Sequence, residues 1–467
     1  MLLLSSAFVV ILNETIMSVA ISKLMNDLGI DARAAQWLTT AFMLTMAVVI
    51  PITGFLLQRF NTRPVFIAAM SLFSFGTFVA AMSPNFEILL SARILQASGT
   101  AIKVPLLMTT LMTLVPENER GKMMGNVSIV ISVAPAIGPT ISGVILNVLT
   151  WQWMFWLILP IALASLWIGI RRIENISEPK QVPIDIISVI LSAFGFGGLI
   201  FGLSSIGGGA GDDAAASAES GPAATIALVV GGVALITFIL RQLVLQRKDR
   251  ALLDLRTFAS RPFALAVSMM MISMGSLFGV VILLPIYTQD VLELSPLTTG
   301  LLLLPGGLLM GVLAPIVGRL FDRFGAKVLV IPGSLVVSGV LWAMTLVSET
   351  TPAWVLLCGH LVLSTGLACL FTPLMTSGLG SVRPELYSHG SAIVGTVQQV
   401  AGATGTALFV TVMSIRSNMA LSAGATETAA LTAGIKAAFF TGAIISLVTV
   451  VAAWFVKQPV ATKKAKA

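Results

Sequence analysis

The sequence reads GFLLQRFNTR over residues 54–63 and GRLFDRFGAK over residues 318–327, an offset of 264 residues. Both stretches join two apolar runs, and they share glycine, leucine, arginine and phenylalanine at the same positions. Because a short pattern rich in glycine and arginine can recur by chance, the repeat predicts a duplicated fold only if a second match accompanies it.

The second match lies between the fourth and the twelfth apolar runs, at offsets of 267 and 268 residues. It pairs Arg93 with His360, Gly99 with Gly366, and Pro116-Glu117 with Pro384-Glu385. Two independent matches predict two related halves of six membrane spans, with two further spans inserted between them. Halves related by an axis along the membrane normal, with a site near the midplane, characterise one large class of transporters.

The composition excludes a soluble protein of this length. Of 467 residues, 57% are hydrophobic and only 10% are charged, with a mean hydropathy of +0.98. Such values are typical of a helical membrane protein with many spans. The sequence has no Gly-x-x-x-x-Gly-Lys nucleotide motif and no cluster of metal-ligating residues. We therefore expect no enzyme and no cofactor, with an ion gradient or the substrate's own gradient as the energy source.

Fourteen apolar runs are candidate membrane spans, each about 20 residues or longer. They are residues 2–22, 35–57, 64–82, 86–114, 122–146, 151–170, 184–206, 223–245, 262–288, 296–318, 328–347, 352–376, 389–415 and 434–456. With a cytoplasmic N-terminus, 21 of the 27 basic residues lie on the cytoplasmic side. This bias satisfies the positive-inside rule and predicts that both termini are cytoplasmic. The sequence pI of about 9.7 thus reflects topology, and we expect no nucleic-acid partner.

The predicted domains follow from these spans. They are an N-terminal six-helix bundle (1–172), an inserted helix pair (184–245), a C-terminal six-helix bundle (258–456) and a basic cytoplasmic tail (457–467). The stretch Gly207–Pro222 is rich in glycine, alanine and serine and contains no basic residue. That composition favours a flexible external linker between spans 7 and 8.

Charged residues inside the first and fourth spans are the strongest functional signal. Glu14 lies at mid-depth, where a charge costs about 2.5–3.5 kcal/mol even on lenient insertion scales. In span 4, Arg93, Gln96 and Lys103 share one helical face with Thr100. Counting about 1.5 Å per residue places Arg93 at the level of Glu14 and Lys103 nearer the cytoplasm. We expect Glu14 to pair with Arg93, in either proton coupling or a static ion pair. Lys103 either serves an anionic group or extends its amine toward the interface.

Small residues, prolines and methionines mark spans 5, 9 and 13. Span 5 has small residues and two prolines on one face, which predict close helix packing and a kink, in either a static contact or a hinge. They are Gly125, Ser128, Ser132, Pro135, Pro139 and Ser142. Met270, Met274 and Phe278 in span 9, with Gln398 in span 13, are the candidate lining of a substrate cavity. Packing against lipid is the alternative for the methionines.

Several motifs together resemble a known family. The loop at residues 54–63 and its repeat are similar to the conserved loop of the major facilitator superfamily, and fourteen spans in a 6+2+6 arrangement resemble its drug:proton antiporter branch. APAIGPTISG at residues 134–143 looks like the motif that marks exporters in that superfamily. RILQASG at residues 93–99 is similar to a span-4 motif linked to proton transfer, and WQWMFW at residues 151–156 looks like the sixth span of the EmrB/QacA group.

The resemblance implies an inner-membrane exporter that exchanges protons for small amphipathic drugs by alternating access, acting as a monomer. The alternative is an exporter of an endogenous metabolite, lipid precursor or amino acid. The roles it implies are a proton acceptor with its partners, a moving interface in span 5 and a cytoplasmic gate. The proton acceptor is Glu14, and its partners are Asn13, Arg93, Gln96 and Lys103. The moving interface in span 5 consists of Pro135, Gly138, Pro139 and Gly143. The gate consists of Gly54, Arg59, Gly318, Asp322 and Arg323.

Two positions depart from the family pattern. The first span usually reads Asp-x-Thr, whereas this chain has Asn13-Glu14-Thr15, which moves the acid about 100° around the helix. This triplet looks like the lincomycin-resistance type of exporter, so lincosamides are among the expected substrates. In the first loop Gln58 replaces the usual aspartate, which Asp322 retains in the second loop. We therefore expect a weaker gate on the N-terminal side.

Overall fold

The computed structural model describes residues 2–176, 183–207 and 214–456, and these residues form fourteen α-helices without a strand. The helices are α1 (Leu2–Leu28), α2 (Ala32–Arg59), α3 (Thr62–Ala81), α4 (Phe86–Leu114), α5 (Arg120–Val148), α6 (Gln152–Arg172), α7 (Ile186–Gly207), α8 (Ala214–Leu245), α9 (Arg261–Ile286), α10 (Pro296–Phe324), α11 (Lys327–Met344), α12 (Ala353–Gly380), α13 (Tyr387–Ser422) and α14 (Glu427–Ala453). Within the described residues, α2 to α14 provide thirteen helices long and apolar enough to span a membrane, and α1 adds an apolar stretch over Leu2–Met17. The chain is an all-helical, multi-pass membrane protein.

Polar caps begin several of these helices. The side chain of Asp31 accepts a hydrogen bond from Ala34 N at 2.7 Å, and that of Asn85 accepts one from Ile88 N at 3.1 Å. Such caps satisfy amide groups that a helix leaves without a partner in its first turn. Short 3₁₀ turns, Glu117–Glu119 and Pro384–Leu386, precede α5 and α13. The Pro-Glu match lies at the start of these turns, with Pro116 just before the first and Pro384 opening the second, so the sequence repeat corresponds to a repeat of local structure.

The helix packing repeats in the same way. The pairs α1–α5, α2–α4, α3–α6 and α1–α6 recur eight helices later as α9–α13, α10–α12, α11–α14 and α9–α14. The two halves meet through α5–α10 and α2–α13, and also through α4–α13 and α5–α12. Exchanging the two halves turns the α5–α10 contact into α2–α13, and the α4–α13 contact into α5–α12. The architecture is therefore two pseudo-symmetric six-helix bundles that face each other.

The inserted helices α7 and α8 pack against each other, and α7 also packs against α2 and α13. At one end of the pair, Arg241 donates to both carboxylate oxygens of Asp185, at 2.7 and 2.8 Å. These hydrogen bonds, helped by Ser188, lower the pKa of Asp185 to about 2 despite its partial burial. Beside them the buried Gln242 bonds to Ser188 and to the backbone of Leu252. The pair is thus fastened to the segment that leads into α9.

Some predicted boundaries are wrong. The stretch Gly207–Pro222 is not wholly a linker, because α8 begins at Ala214 and incorporates Pro222; residues 208–213 lie outside the described residues. Helix α14 begins at Glu427, capped by Thr426, rather than at residue 434. The prediction ended spans at charged residues, whereas these helices extend beyond the apolar core. The tail 457–467 also lies outside the described residues, and the domain limits stay a prediction.

Candidate functional site

The polar face of α4 is enclosed within the N-terminal bundle. Arg93, Gln96 and Lys103 each expose 1% or less of their surface. The guanidinium of Arg93 donates to Gln96 Oε1 at 3.0 Å, and Gln96 Nε2 donates to Thr77 Oγ1 in α3 at 3.0 Å. The Arg93 guanidinium also lies 4.2 Å from the centre of the Phe42 ring in α2. Arg93 is therefore held by α2, α3 and its own helix.

Glu14 in α1 is partly accessible and interacts electrostatically with Arg93. No ion pair within 4.0 Å joins these two described side chains, so the direct pairing that the sequence predicts is absent from this conformer. Two buried donors, Asn13 Nδ2 and Arg93 Nε, have no hydrogen-bond partner among the described residues. A buried donor that stays without a partner costs about 1–3 kcal/mol.

The exporter-like motif of α5 contacts α1 beside Glu14. Gly138 is buried against Thr15, and a larger side chain there would collide with the threonine hydroxyl. Gly143 has open space at its Cα, while Pro135 and Pro139 are partly accessible within an uninterrupted helix. Of the four motif residues, Gly138 thus connects α5 to the predicted proton acceptor.

Lys103 does not follow the second predicted alternative, and the first, service to an anionic group, stays a prediction. Its amine does not extend to the interface, and no carboxylate lies within ion-pair distance among the described residues. Instead it donates to Ser6 Oγ at 2.7 Å and lies 3.9 Å from the centre of the Phe66 ring. The amine therefore points into the bundle interior formed by α1 and α3.

Asp322 joins the two halves at the end of the molecule that contains the repeated loops. Its Oδ1 and Oδ2 accept hydrogen bonds from Gly121 N and Lys122 N, each at 2.7 Å. These amides lie in the first turn of α5, where the helix dipole favours a carboxylate. Gly318 in α10 packs directly on the backbone of Gly121. We call the contact formed by Asp322, Gly318, Gly121 and Lys122 the charged gate.

A second contact occupies the symmetry-related position between α2 and α13. Gln58 Nε2 donates to the carbonyl oxygen of Glu385 at 3.1 Å, and Gly54 packs against His389 and Ala392. An offset of 268 residues aligns His389 with Gly121, so a histidine stands where the charged gate has a glycine. We call the contact of Gln58, Gly54, Glu385 and His389 the neutral gate. The sequence signal for His389 is this same offset, continued four residues past Glu385.

Of the two loop arginines, Arg323 does not hold the carboxylate of Asp322, and the predicted gate role of Arg59 stays a prediction. Arg323 is exposed and lies 5.2 Å from the centre of the Phe324 ring, and Arg59 lies near the rings of Phe55 and Phe60. Asp322 bonds to a helix terminus instead of Arg323.

Two hydrogen bonds between hydroxyl groups reinforce the closure of this end. Thr109 in α4 bonds to Ser391 in α13 at 3.2 Å, and Ser128 in α5 bonds to Thr372 in α12 at 2.8 Å. Both bonds join one half to the other near the repeated loops. In this conformer the halves are therefore in contact at that end through four helix pairs.

The predicted substrate residues do not line the cavities described here. Met270 is buried in the core, Phe278 packs against Gly402 in α13, and Met274 and Gln398 are partly accessible. An apolar cavity of about 190 Å³ lies nearby between α9, α13 and α14. A second cavity of about 210 Å³ lies beside the neutral gate. Their main lining residues are Met271, Gly275, Gly405 and Phe409 in the first, and Gln58, Thr109, Thr113 and Glu385 in the second.

The model of the Major Facilitator Superfamily matches residues 3–406. The chain belongs to the major facilitator superfamily. It is 41% identical to the uncharacterized MFS-type transporter YcnB of Bacillus subtilis, over 98% of this chain and 94% of that relative. It is 40% identical to the lincomycin resistance protein LmrB of Bacillus subtilis, over 98% of this chain and 95% of that relative.

A solved structure of a human transporter has the same fold. The human organic anion transporter MFSD10 superposes with a TM-score of 0.68 at 14% identity, covering 97% of this chain and 98% of that one. The expected fold and membership are thus confirmed, and the chain is a membrane transporter, not an enzyme.

Proposed function

We propose that this chain is a proton-coupled exporter of small amphipathic drugs, acting as a monomer in the bacterial inner membrane with both termini cytoplasmic. The observation that carries the proposal is the electrostatic interaction of Glu14 with Arg93, an acid and a cation within the membrane-spanning bundle. Buried charges at this depth are expensive, and transporters retain them where protons or substrates move.

Protonation of Glu14 changes the electrostatics around Arg93. While Glu14 is charged, its attraction for the guanidinium draws α1 toward α4; a proton on the carboxylate removes that attraction. Arg93 stays in place because Gln96 and the Phe42 ring hold it. Arginine does not deprotonate in proteins, so Glu14 is the group that accepts the proton.

Contacts between helices can transmit this change to the gate. Thr15, next to Glu14, packs on Gly138 of α5, and α5 begins at the charged gate, where Gly121 lies against Gly318. A shift of α1 against α5 therefore acts on the helix that closes the cytoplasmic end. In this mechanism the proton on Glu14 favours one of the two conformers of alternating access.

The similarity to a lincomycin resistance protein over nearly the whole chain supports drugs as the substrate class, including lincosamides. The test is a drug-susceptibility panel in a strain that lacks the gene, repeated after complementation with the intact gene. We expect deletion to lower the inhibitory concentration of lincomycin or another amphipathic drug. Unchanged sensitivity to every drug would favour the alternative, an exporter of an endogenous metabolite, lipid precursor or amino acid.

Coupling is tested with Glu14→Gln in proteoliposomes that carry a pH gradient. We expect the variant to lose gradient-driven drug transport while retaining drug binding. Glu87→Gln is the matched control, because Glu87 is an exposed acid at the start of α4. Transport by Glu14→Gln at the intact rate would remove Glu14 from the mechanism.

A further inference from the structure

The amine of Lys103 is enclosed without a compensating charge. The side chain exposes none of its surface, and its polar contact is the hydrogen bond of 2.7 Å to Ser6 Oγ. Ser6 is equally buried, and its hydroxyl donates to Leu3 O at 3.0 Å, so its oxygen is an acceptor for the amine. The Phe66 ring covers the amine at 3.9 Å. The site thus offers one neutral acceptor and one aromatic face.

The charged and titratable groups on the surrounding helices lie elsewhere. They are, among the described side chains, Glu14, Lys23 and Asp27 in α1, Arg59 in α2, Arg63 in α3, Glu87 and Arg93 in α4, Arg120 and Lys122 in α5, and His389 and Arg416 in α13. None of them forms an ion pair with the amine among the described residues. Glu14 lies eight residues, about 12 Å, farther along α1 than Ser6.

Helices α1 and α4 therefore contact each other at two successive levels with different chemistry. At the first level, which we call the outer level, Glu14 interacts electrostatically with Arg93. At the second, which we call the inner level, Ser6 bonds to Lys103. An ammonium ion at the inner level would be a buried charge with no counter-ion, which costs several kcal/mol. Lysine avoids this cost by releasing its proton, which arginine does not do. The inner level suits a group that changes charge.

We propose that Lys103 is a second proton-exchange site of this transporter. Its amine is neutral while Ser6 and Phe66 enclose it, and it binds one proton to become an ammonium ion when that enclosure opens to water. The part that this exchange plays in transport rests on the function proposed above. The exchange itself requires no substrate and can be measured without one.

The test is a potentiometric titration of the purified full chain in detergent, from about pH 5 to about pH 9, well below the ordinary lysine pKa of about 10.4. The intact protein is compared with Lys103→Met, which keeps the length and apolar stem of the side chain. We expect the intact protein to bind up to about one more proton than the variant as the pH falls. Lys327→Met, at an exposed lysine, is the control and should match the intact protein in this range.

Ser6→Asp is a second variant that keeps Lys103. A carboxylate beside the amine should hold it charged throughout this range, so the additional proton step should disappear. A flat difference curve between the intact protein and Lys103→Met, or a persistent step in Ser6→Asp, would overturn the proposal. A clear proton step in a chain that exports no drug would uphold this site and contradict the proposed function. Drug export together with a flat difference curve would uphold the proposed function and overturn the proton-exchange site at Lys103.

Discussion

The charged gate and the neutral gate close the same end of the molecule by different chemistry. In the charged gate, a carboxylate caps α5 with two hydrogen bonds of 2.7 Å, and Gly318 lies on the backbone of Gly121. In the neutral gate, one amide donates to a carbonyl at 3.1 Å, and Gly54 meets the side chain of His389. The pseudo-symmetric halves therefore share a contact geometry without sharing the forces that hold it.

The inserted helices lie on the side of the neutral gate. α7 packs against both α2 and α13, the two helices that form this gate, whereas neither inserted helix is seen to pack against α5 or α10 in the described part of the chain. We interpret the pair α7–α8 as a support for the weaker contact. The comparison then predicts that substitutions in the charged gate lower the free energy of unfolding more than equivalent ones in the neutral gate do.

The largest difference is expected for alanine at the two related glycines. In Gly318→Ala the new methyl meets the carbonyl of Gly121, a backbone group that cannot move without displacing α5. In Gly54→Ala the new methyl lies 3.0 Å from the His389 ring and 3.3 Å from the Ala392 methyl, so these side chains need to shift by only a few tenths of an ångström. We expect Gly318→Ala to lower the free energy of unfolding in detergent by about 1–3 kcal/mol, and Gly54→Ala by clearly less.

The matched control for this pair is Gly143→Ala. Gly143 is also a helical glycine, but open space surrounds it, so alanine there should be neutral or slightly stabilising. If Gly54→Ala lowered the free energy of unfolding as much as Gly318→Ala does, the helix backbones would not approach each other more closely in the charged gate than in the neutral gate.

The second comparison removes the polar contact of each gate. Asp322→Asn loses the charge and turns an amide group toward one of the two backbone donors. Hydrogen bonds to charged groups contribute about 1.5–3 kcal/mol and neutral ones about 0.5–1.5 kcal/mol. We expect Asp322→Asn to lower the free energy of unfolding more than Gln58→Ala does, measured by unfolding in mixed detergent. Equal losses would show that the helix dipole adds nothing to the charged gate.

The repeat in the sequence predicted the fold because it reports a physical duplication. The matches between residues 54–63 and 318–327 and between the Pro-Glu turns correspond to equivalent helix contacts in the two halves. Hydropathy located the spans but misplaced several ends, since helices such as α14 continue past the apolar core into capped polar turns. Composition also missed the helical start of α8.

The candidate site was only partly predictable. Helical periodicity placed Arg93, Gln96 and Lys103 on one face, and all three are buried together. Periodicity does not specify the partner on another helix, so it could not identify Ser6, Thr77 or Phe42 as the groups that contact them. For the same reason the predicted Glu14–Arg93 ion pair is an electrostatic interaction at a longer distance. The substrate role of Met270, Met274, Phe278 and Gln398 stays a prediction.

A smaller effect is expected at the support of the neutral gate. In Asp185→Asn the two hydrogen bonds to Arg241 lose their charge, and we expect a loss of about 1 kcal/mol, because both side chains remain partly in contact with solvent. The folded-state pKa of Asp185, about 2, lies below the ordinary value of about 3.9. Its contribution is therefore complete above about pH 4 and is lost as the pH falls toward 2.

The measurement is the difference in unfolding free energy between the intact protein and Asp185→Asn, at about pH 6 and at about pH 3. The difference should shrink at the lower pH. Asp31→Asn is the control, because asparagine caps a helix as well as aspartate does, and Asp31 makes the cap of α2. A difference that grows on acidification would mean that Asp185 is not stabilised as a carboxylate.

The smallest effect is expected for Arg323, which the family resemblance places in the gate. Its side chain is exposed over the Phe324 ring, and Asp322 is already satisfied by the two amides of α5. An exposed contact between a cation and an aromatic ring contributes about 0.5–1 kcal/mol at most. We therefore expect Arg323→Gln to change the free energy of unfolding by less than about 1 kcal/mol, far less than Asp322→Asn in the same assay. A loss as large as that of Asp322→Asn would mean that the arginine holds the carboxylate, and that the charged gate is an ion pair. If the loss is small, the closure of this end depends on a carboxylate and a helix terminus, so it should withstand added salt better than an exposed ion pair would.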